Sequence, residues 1–190
     1  MRTNHDNTQF TLSDYQLDVV RIKLVKDRTI FSDQPLNSPD AAVEMIGREL
    51  SEWDREALLV LNLDSKNNVI NMHVVSIGTI NYSVTTMREL IKSSVLSNAS
   101  SMIVMHNHPS GDVSPSEEDI EMTGNIVAVG KLMGIEVLDH IIVGSDSALH
   151  HFSFMENDML KPSTRVFNIV DDAPKKNIAA EKKVSRKRSR

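Results

Sequence analysis

The chain has 190 residues, 40% hydrophobic and 25% charged, which suits one soluble domain with its own core and leaves little room for two. It contains no cysteine, so disulfides, thiolate metal sites and a cysteine nucleophile are excluded, and any metal must be held by His, Asp or Glu. The net charge of −5 conceals an asymmetry: residues 173–190 carry eight Lys or Arg against one acid, Glu181, a net of +7 that leaves −12 on the rest.

Residues 1–14 read as a loose leader. Tyr15–Leu24 alternates apolar and polar side chains and is expected to be a strand, followed by a loop through Pro35 and Asn37. Ser38-Pro39-Asp40 opens a helix with Ser38 as N-cap, and Ala42, Val43, Ile46 and Leu50 share one face of it. Glu56–Leu63 is a buried strand, Asp64–Asn68 a turn, and Val69–Val75 the second arm of a hairpin.

Thr85–Leu96 has the helical period, with Met87, Leu90, Ile91, Val95 and Leu96 inward, and Ser101–Met105 is a short strand buried on both faces. A loop from His106 to Pro115 precedes a helix that opens at Ser114-Pro115-Ser116-Glu117, runs to about Met133 and closes on Gly134. Ile135–Val143 and Ala148–Phe154 read as strands, and nothing periodic follows Asp171. Strands alternating with helices give an α/β layered domain, and the hairpin makes its sheet mixed.

The longest apolar runs, Ala57–Leu61 and Met102–Met105, are far too short for a bilayer, and the polar N-terminus lacks the apolar stretch of a signal peptide. A cytoplasmic protein is expected. The basic tail most simply reads as a solvated end, with a nucleic-acid contact as the alternative.

The chemistry concentrates in His106–Asp119, directly after the buried strand 101–105. In layered α/β folds ligands bind beyond the carboxyl ends of strands. Two histidines one residue apart at such an end can turn toward one point. Neutral imidazoles are good zinc ligands, and a catalytic zinc takes three protein ligands and keeps one position open. The third ligand is another His or a carboxylate: Asp119, with Glu117 and Glu118 competing by type. Ser116 and Asp119 stand at i and i+3 and share a helix face. A hydrolytic site also needs a base, and Glu56 at the head of its strand is a candidate, although an exposed strand-entry charge is its plainer reading. His140, His150 and His151 have no supporting spacing and read as structural or surface residues.

The pattern His-x-His, seven residues, Ser-x-x-Asp resembles the JAMM (MPN+) metalloprotease signature, met here as His106, His108, Ser116 and Asp119. With Gly78–Asn81 upstream, His106–Gly111 and Leu138–Gly144 downstream, residues 38–155 look like a RadC-like JAB domain. The resemblance implies a three-layer, cytidine-deaminase-like fold over about residues 15–170, with one zinc held by His106, His108 and Asp119. It also implies Ser116 near the reacting oxygen and raises Glu56 to general acid/base. The implied activity is hydrolysis of an amide or isopeptide bond in a peptide or protein substrate. The alternative is a non-catalytic zinc-binding module in DNA repair or mobile-element DNA processing. RadC-like proteins usually carry a helix-hairpin-helix region, and the residues ahead of Ser38 are too few for one.

Overall fold

In the chain's computed structural model, residues 19, 21, 23–31, 39–78, 87–145 and 150–164 are described, and all structural statements concern these. The order of elements is α1 (Pro39–Ser51), β1 (Ala57–Leu63), β2 (Val69–Ile77), α2 (Met87–Leu96), β3 (Ser101–His108), α3 (Glu117–Met133), β4 (Glu136–Gly144) and β5 (His151–Ser153). The strands form one sheet in the order β2-β1-β3-β4-β5. Only the β3–β4 pair, joined by α3, is parallel; β1 is antiparallel to both of its neighbours, and β4 to β5.

Every residue of β1 is buried because helices cover both faces of the sheet. Alternate residues divide between the two sides. Ala57, Leu59, Leu61 and Leu63 join Ile103, Met105, Ile141 and Val143 under Ile46 and Leu50 of α1. Leu58 and Val60 join Met102 and Val104 against Leu90 and Ile91 of α2 and Met122 and Ile126 of α3. Three layers result: α1, the sheet, then α2 with α3. Ile30, ahead of α1, packs on the α1 side.

The β1–β2 turn is built by Asp64, whose Oδ1 accepts from Lys66 N–H at 2.8 Å and Asn68 N–H at 2.9 Å, with Asn67 left-handed at φ 61°. Helix α3 ends on Gly134 at φ 68°, a left-handed cap that favours glycine. A Cβ on Gly130 would stand 2.6 Å from the Ile135 carbonyl, so α3 needs glycine there to fold back onto β4.

The strand expected to end at Met105 continues to His108, because His106, Asn107 and His108 pair with Ile142, Val143 and Gly144 of β4. Pro115 lies outside α3, which is capped by Ser116. On α2, Val95 is 43% exposed. Its inward face holds Ser93 and Ser94 instead, beside the buried Asn62 of β1. Residues 19, 21 and 23–31 form no strand. The leader, the rest of the expected strand at 15–24, the Ser38 cap, Thr79–Asn81, residues 146–149 and the basic tail lie outside the described residues.

Candidate metal centre

His106 and His108 stand at i and i+2 of a strand and therefore share its face. It is the face of Met102 and Val104, toward α3. Helix α3 begins opposite them in a reciprocal cap. Asp119 N–H donates to Ser116 Oγ at 3.1 Å, while Asp119 Oδ2 accepts from Ser116 N–H at 2.8 Å and Ser116 Oγ–H at 2.6 Å. The cap turns the Asp119 carboxylate back over the strand end and buries it completely, whereas Glu117 and Glu118 are exposed.

The ligand atoms of His106, His108 and Asp119 all lie within 4.8 Å of one another. His106 Nε2 is 3.1 Å from His108 Nε2 and 3.2 Å from Asp119 Oδ1, and His108 Nε2 is 3.6 Å from Asp119 Oδ2. Tetrahedral zinc with bonds of about 2.0–2.1 Å sets its ligands about 3.3–3.4 Å apart. His108 Nδ1 is 2.6 Å from the Asp112 carbonyl, which can only accept, so the ring proton sits on Nδ1 and the neutral ring aims a bare Nε2 at the cluster. Two imidazoles and a carboxylate, spaced in this way, fit a divalent metal.

The electrostatics show what these atoms lack without a cation. Burial alone would raise the Asp119 carboxyl, but hydrogen bonds from His106 and His108, made whenever a proton occupies their facing nitrogens, hold it far below the ordinary range with Ser116 assisting. His108 is raised, chiefly by its bond to Asp119, against the cost of burial. A proton and a metal ion therefore compete for one place.

Glu56 directly precedes β1 and is half-buried. The β1–β3 ladder ends where Leu58 pairs with His106, two residues past Glu56. Its charge contributes to the raised pKa of His108. It also lines an open cleft of about 440 Å³ with Asp54, Arg55 and Gly78.

The sequence pattern of the RadC-like JAB domain matches residues 36–159. The chain belongs to the RadC-like JAB domain family. A UPF0758 protein of Finegoldia magna is 45% identical over 129 residues, 68% of this chain and 56% of the relative. One from Syntrophomonas wolfei is 46% identical over 110 residues, 58% and 47% of the two chains, and one from Methanosarcina mazei 41% over 125 residues, 64% and 55%. The chain thus spans about half the length of the curated relatives it matches. The mixed five-stranded sheet with its helices is the JAB arrangement, and His106, His108 and Asp119 form its metal-binding candidate. Among the described residues no helix is long and apolar enough to cross a membrane.

Within this JAB domain three buried residues stand around the cluster: Asn107 and Thr123, which the sequence did not single out, and His140, whose structural reading fits its burial. Asn107 accepts from Ala57 N–H at 2.8 Å and donates to the carbonyls of Arg55 at 3.1 Å and Trp53 at 3.4 Å, holding the chain on both sides of Glu56. His140 lies 2.9 Å from His106 Nδ1, and Thr123 lies 2.6 Å beyond it. Burial first, then the charge of His106, lowers His140 well below the usual imidazole range. His150 and His151 are exposed. The usable signal for His140 was its parity with Ile142 on a strand paired to β3, which requires knowing the pairing.

Proposed function

We propose that this JAB domain is a zinc-dependent hydrolase of amide or isopeptide bonds in peptide or protein substrates. The observation that carries the reading is the convergence of His106, His108 and Asp119 at ligand spacing, with His108 fixed in its metal-ready tautomer. These three residues would hold the metal. Zinc, when bound there, supplies a Lewis acid that acidifies a water and polarises a carbonyl.

The chain's own residues supply the remainder. Glu56 takes a proton from the attacking water and returns it to the leaving amine, the task of a carboxylate that is not itself a ligand. Asn107 fixes the backbone around Glu56 through its three bonds to residues 53–57. Ser116 orients Asp119, and its hydroxyl can turn to a developing oxyanion only by giving up the 2.6 Å bond to Oδ2.

Glu56→Gln is the direct test. It should leave the zinc content unchanged and abolish turnover of a cleavable peptide or isopeptide. Full turnover in that variant would remove Glu56 from the mechanism. The +7 charge of residues 173–190 supports a second reading, a zinc-binding module that contacts nucleic acid. Deleting that segment should then weaken DNA retention and flatten its salt dependence, and unchanged retention would count against the reading.

A further inference from the structure

We infer that His140 and Thr123 are positioning residues that set the tautomer of His106, so that its Nε2 is bare and faces the metal site. The inference rests on His106 being a metal ligand, and it follows from counting protons along one buried chain of contacts.

Thr123 Oγ1 carries a single proton. The Asp119 backbone carbonyl, 2.7 Å away and able only to accept, takes it. His140 Nδ1 stands 2.6 Å from the same oxygen and must therefore be the donor in that contact. The His140 ring is fully buried and stacks on Phe154, with centroids 4.8 Å apart and planes 8° from parallel. Both its nitrogens are engaged, by Thr123 and His106, and a neutral imidazole carries one N–H to share between them. With its one proton on Nδ1, its Nε2 is an acceptor.

His106 Nδ1, 2.9 Å from that Nε2, must then donate. The remaining nitrogen of His106 carries a lone pair and points at Asp119 Oδ1, 3.2 Å away, and His108 Nε2, 3.1 Å away.

The two histidines of the site are thus set by different means. His108 is fixed by a backbone carbonyl, that of Asp112. His106 depends on a relay of side chains that starts from α3, in the turn after Asp119, and crosses β4. The relay therefore links the helix that carries one ligand to the strand that carries the other two. Outer-shell partners of metal-bound histidines commonly fix both ring orientation and tautomer.

The metal-free 190-residue chain labelled with 15N-histidine provides the test, through long-range proton–nitrogen correlation spectra at mildly alkaline pH. His106 should appear protonated on Nδ1 and bare on Nε2. His140→Phe keeps the ring on Phe154 but removes the acceptor. It should shift His106 toward the Nε2-protonated form and weaken zinc binding, measured by chelator competition, by about 10–100-fold. His140→Gln restores an acceptor and should recover most of that loss. Thr123→Val frees His140 to carry its proton on Nε2, and should shift the His106 tautomer in the same direction as His140→Phe; it decides the matter if the phenylalanine variant does not fold.

An Nε2-protonated His106 in the wild-type protein would overturn the inference, as would a His140→Phe variant with wild-type zinc affinity. Because the spectra are taken without metal, failure to bind zinc at all would strike the metal reading and leave the tautomer result standing.

Discussion

The two faces of the sheet are built from the same strands, one residue out of step, and they behave as different materials. On the α1 side, odd-numbered residues of β1 and β3 make an aliphatic core with Ile46 and Leu50. On the α2 and α3 side, even-numbered residues begin the same way with Leu58, Val60, Met102 and Val104. At both ends of these strands that second face then turns polar. At one end Asn62 meets Ser93 and Ser94; at the other His106 and His108 meet Asp119. The apolar face needs only shape and volume. The polar ends need every donor and acceptor matched, because an unmet buried polar group costs about 1–3 kcal/mol. The ligand-type side chains thus cluster on one side, while the α1 side carries its buried polar groups singly, as Asn107 on β3 and Asp139 on β4.

Cutting into the apolar face should produce the largest effect. Leu61→Ala opens a cavity under α1 and should cost about 2–5 kcal/mol in denaturant unfolding. It should leave zinc content unchanged, since no metal-site residue touches that layer. Loss of zinc in a folded Leu61→Ala protein would mean the two faces are coupled.

Asn62→Ala should cost less, about 1–3 kcal/mol. It strips partners from Ser94 Oγ, which donates to Asn62 Oδ1 at 2.6 Å, and from Asn71 Oδ1, which accepts from Asn62 Nδ2 at 2.7 Å. A neutral result would show that the polar end of this face is filled by water when the amide is absent.

The smallest effect is one of pH. Burial raises the Asp139 carboxyl above its ordinary value of 3.8, despite hydrogen bonds from Ser153 Oγ–H and from the Met155 and His140 amides. The folded chain therefore holds this proton more tightly than the unfolded chain does. The resulting stability is fully present below pH 3.8 and is lost as pH rises through the raised value. Asp139→Asn should remove that part of the pH dependence. Fluorescence of Trp53, the sole tryptophan, can follow unfolding across the window. An unchanged profile in the variant would place the titration elsewhere.

What the sequence made legible follows from the range of each interaction. The His106, His108, Ser116 and Asp119 set was readable because one strand end, one loop and one helix start bring it together within a short stretch of chain. The hairpin, α3 and its Gly134 cap were readable for the same reason. The β3 boundary was not. Polar residues at a strand end resemble a loop until their pairing with β4 is known. The inward face of α2 was misread at Val95 because Ser93 and Ser94 become good core residues only opposite Asn62. His140 and Asn107 depend on cross-strand neighbours 34 and 50 residues away, and no local period reports those.

The central claim is that one end of the polar face is a metal centre. The most direct measurement is the zinc content of the purified 190-residue chain beside His106→Ala and Asp119→Ala. The account predicts about one zinc per chain in the wild-type protein and none retained in either variant. Stoichiometric zinc in both variants, or a wild-type protein that takes up no zinc when offered it, would contradict the account.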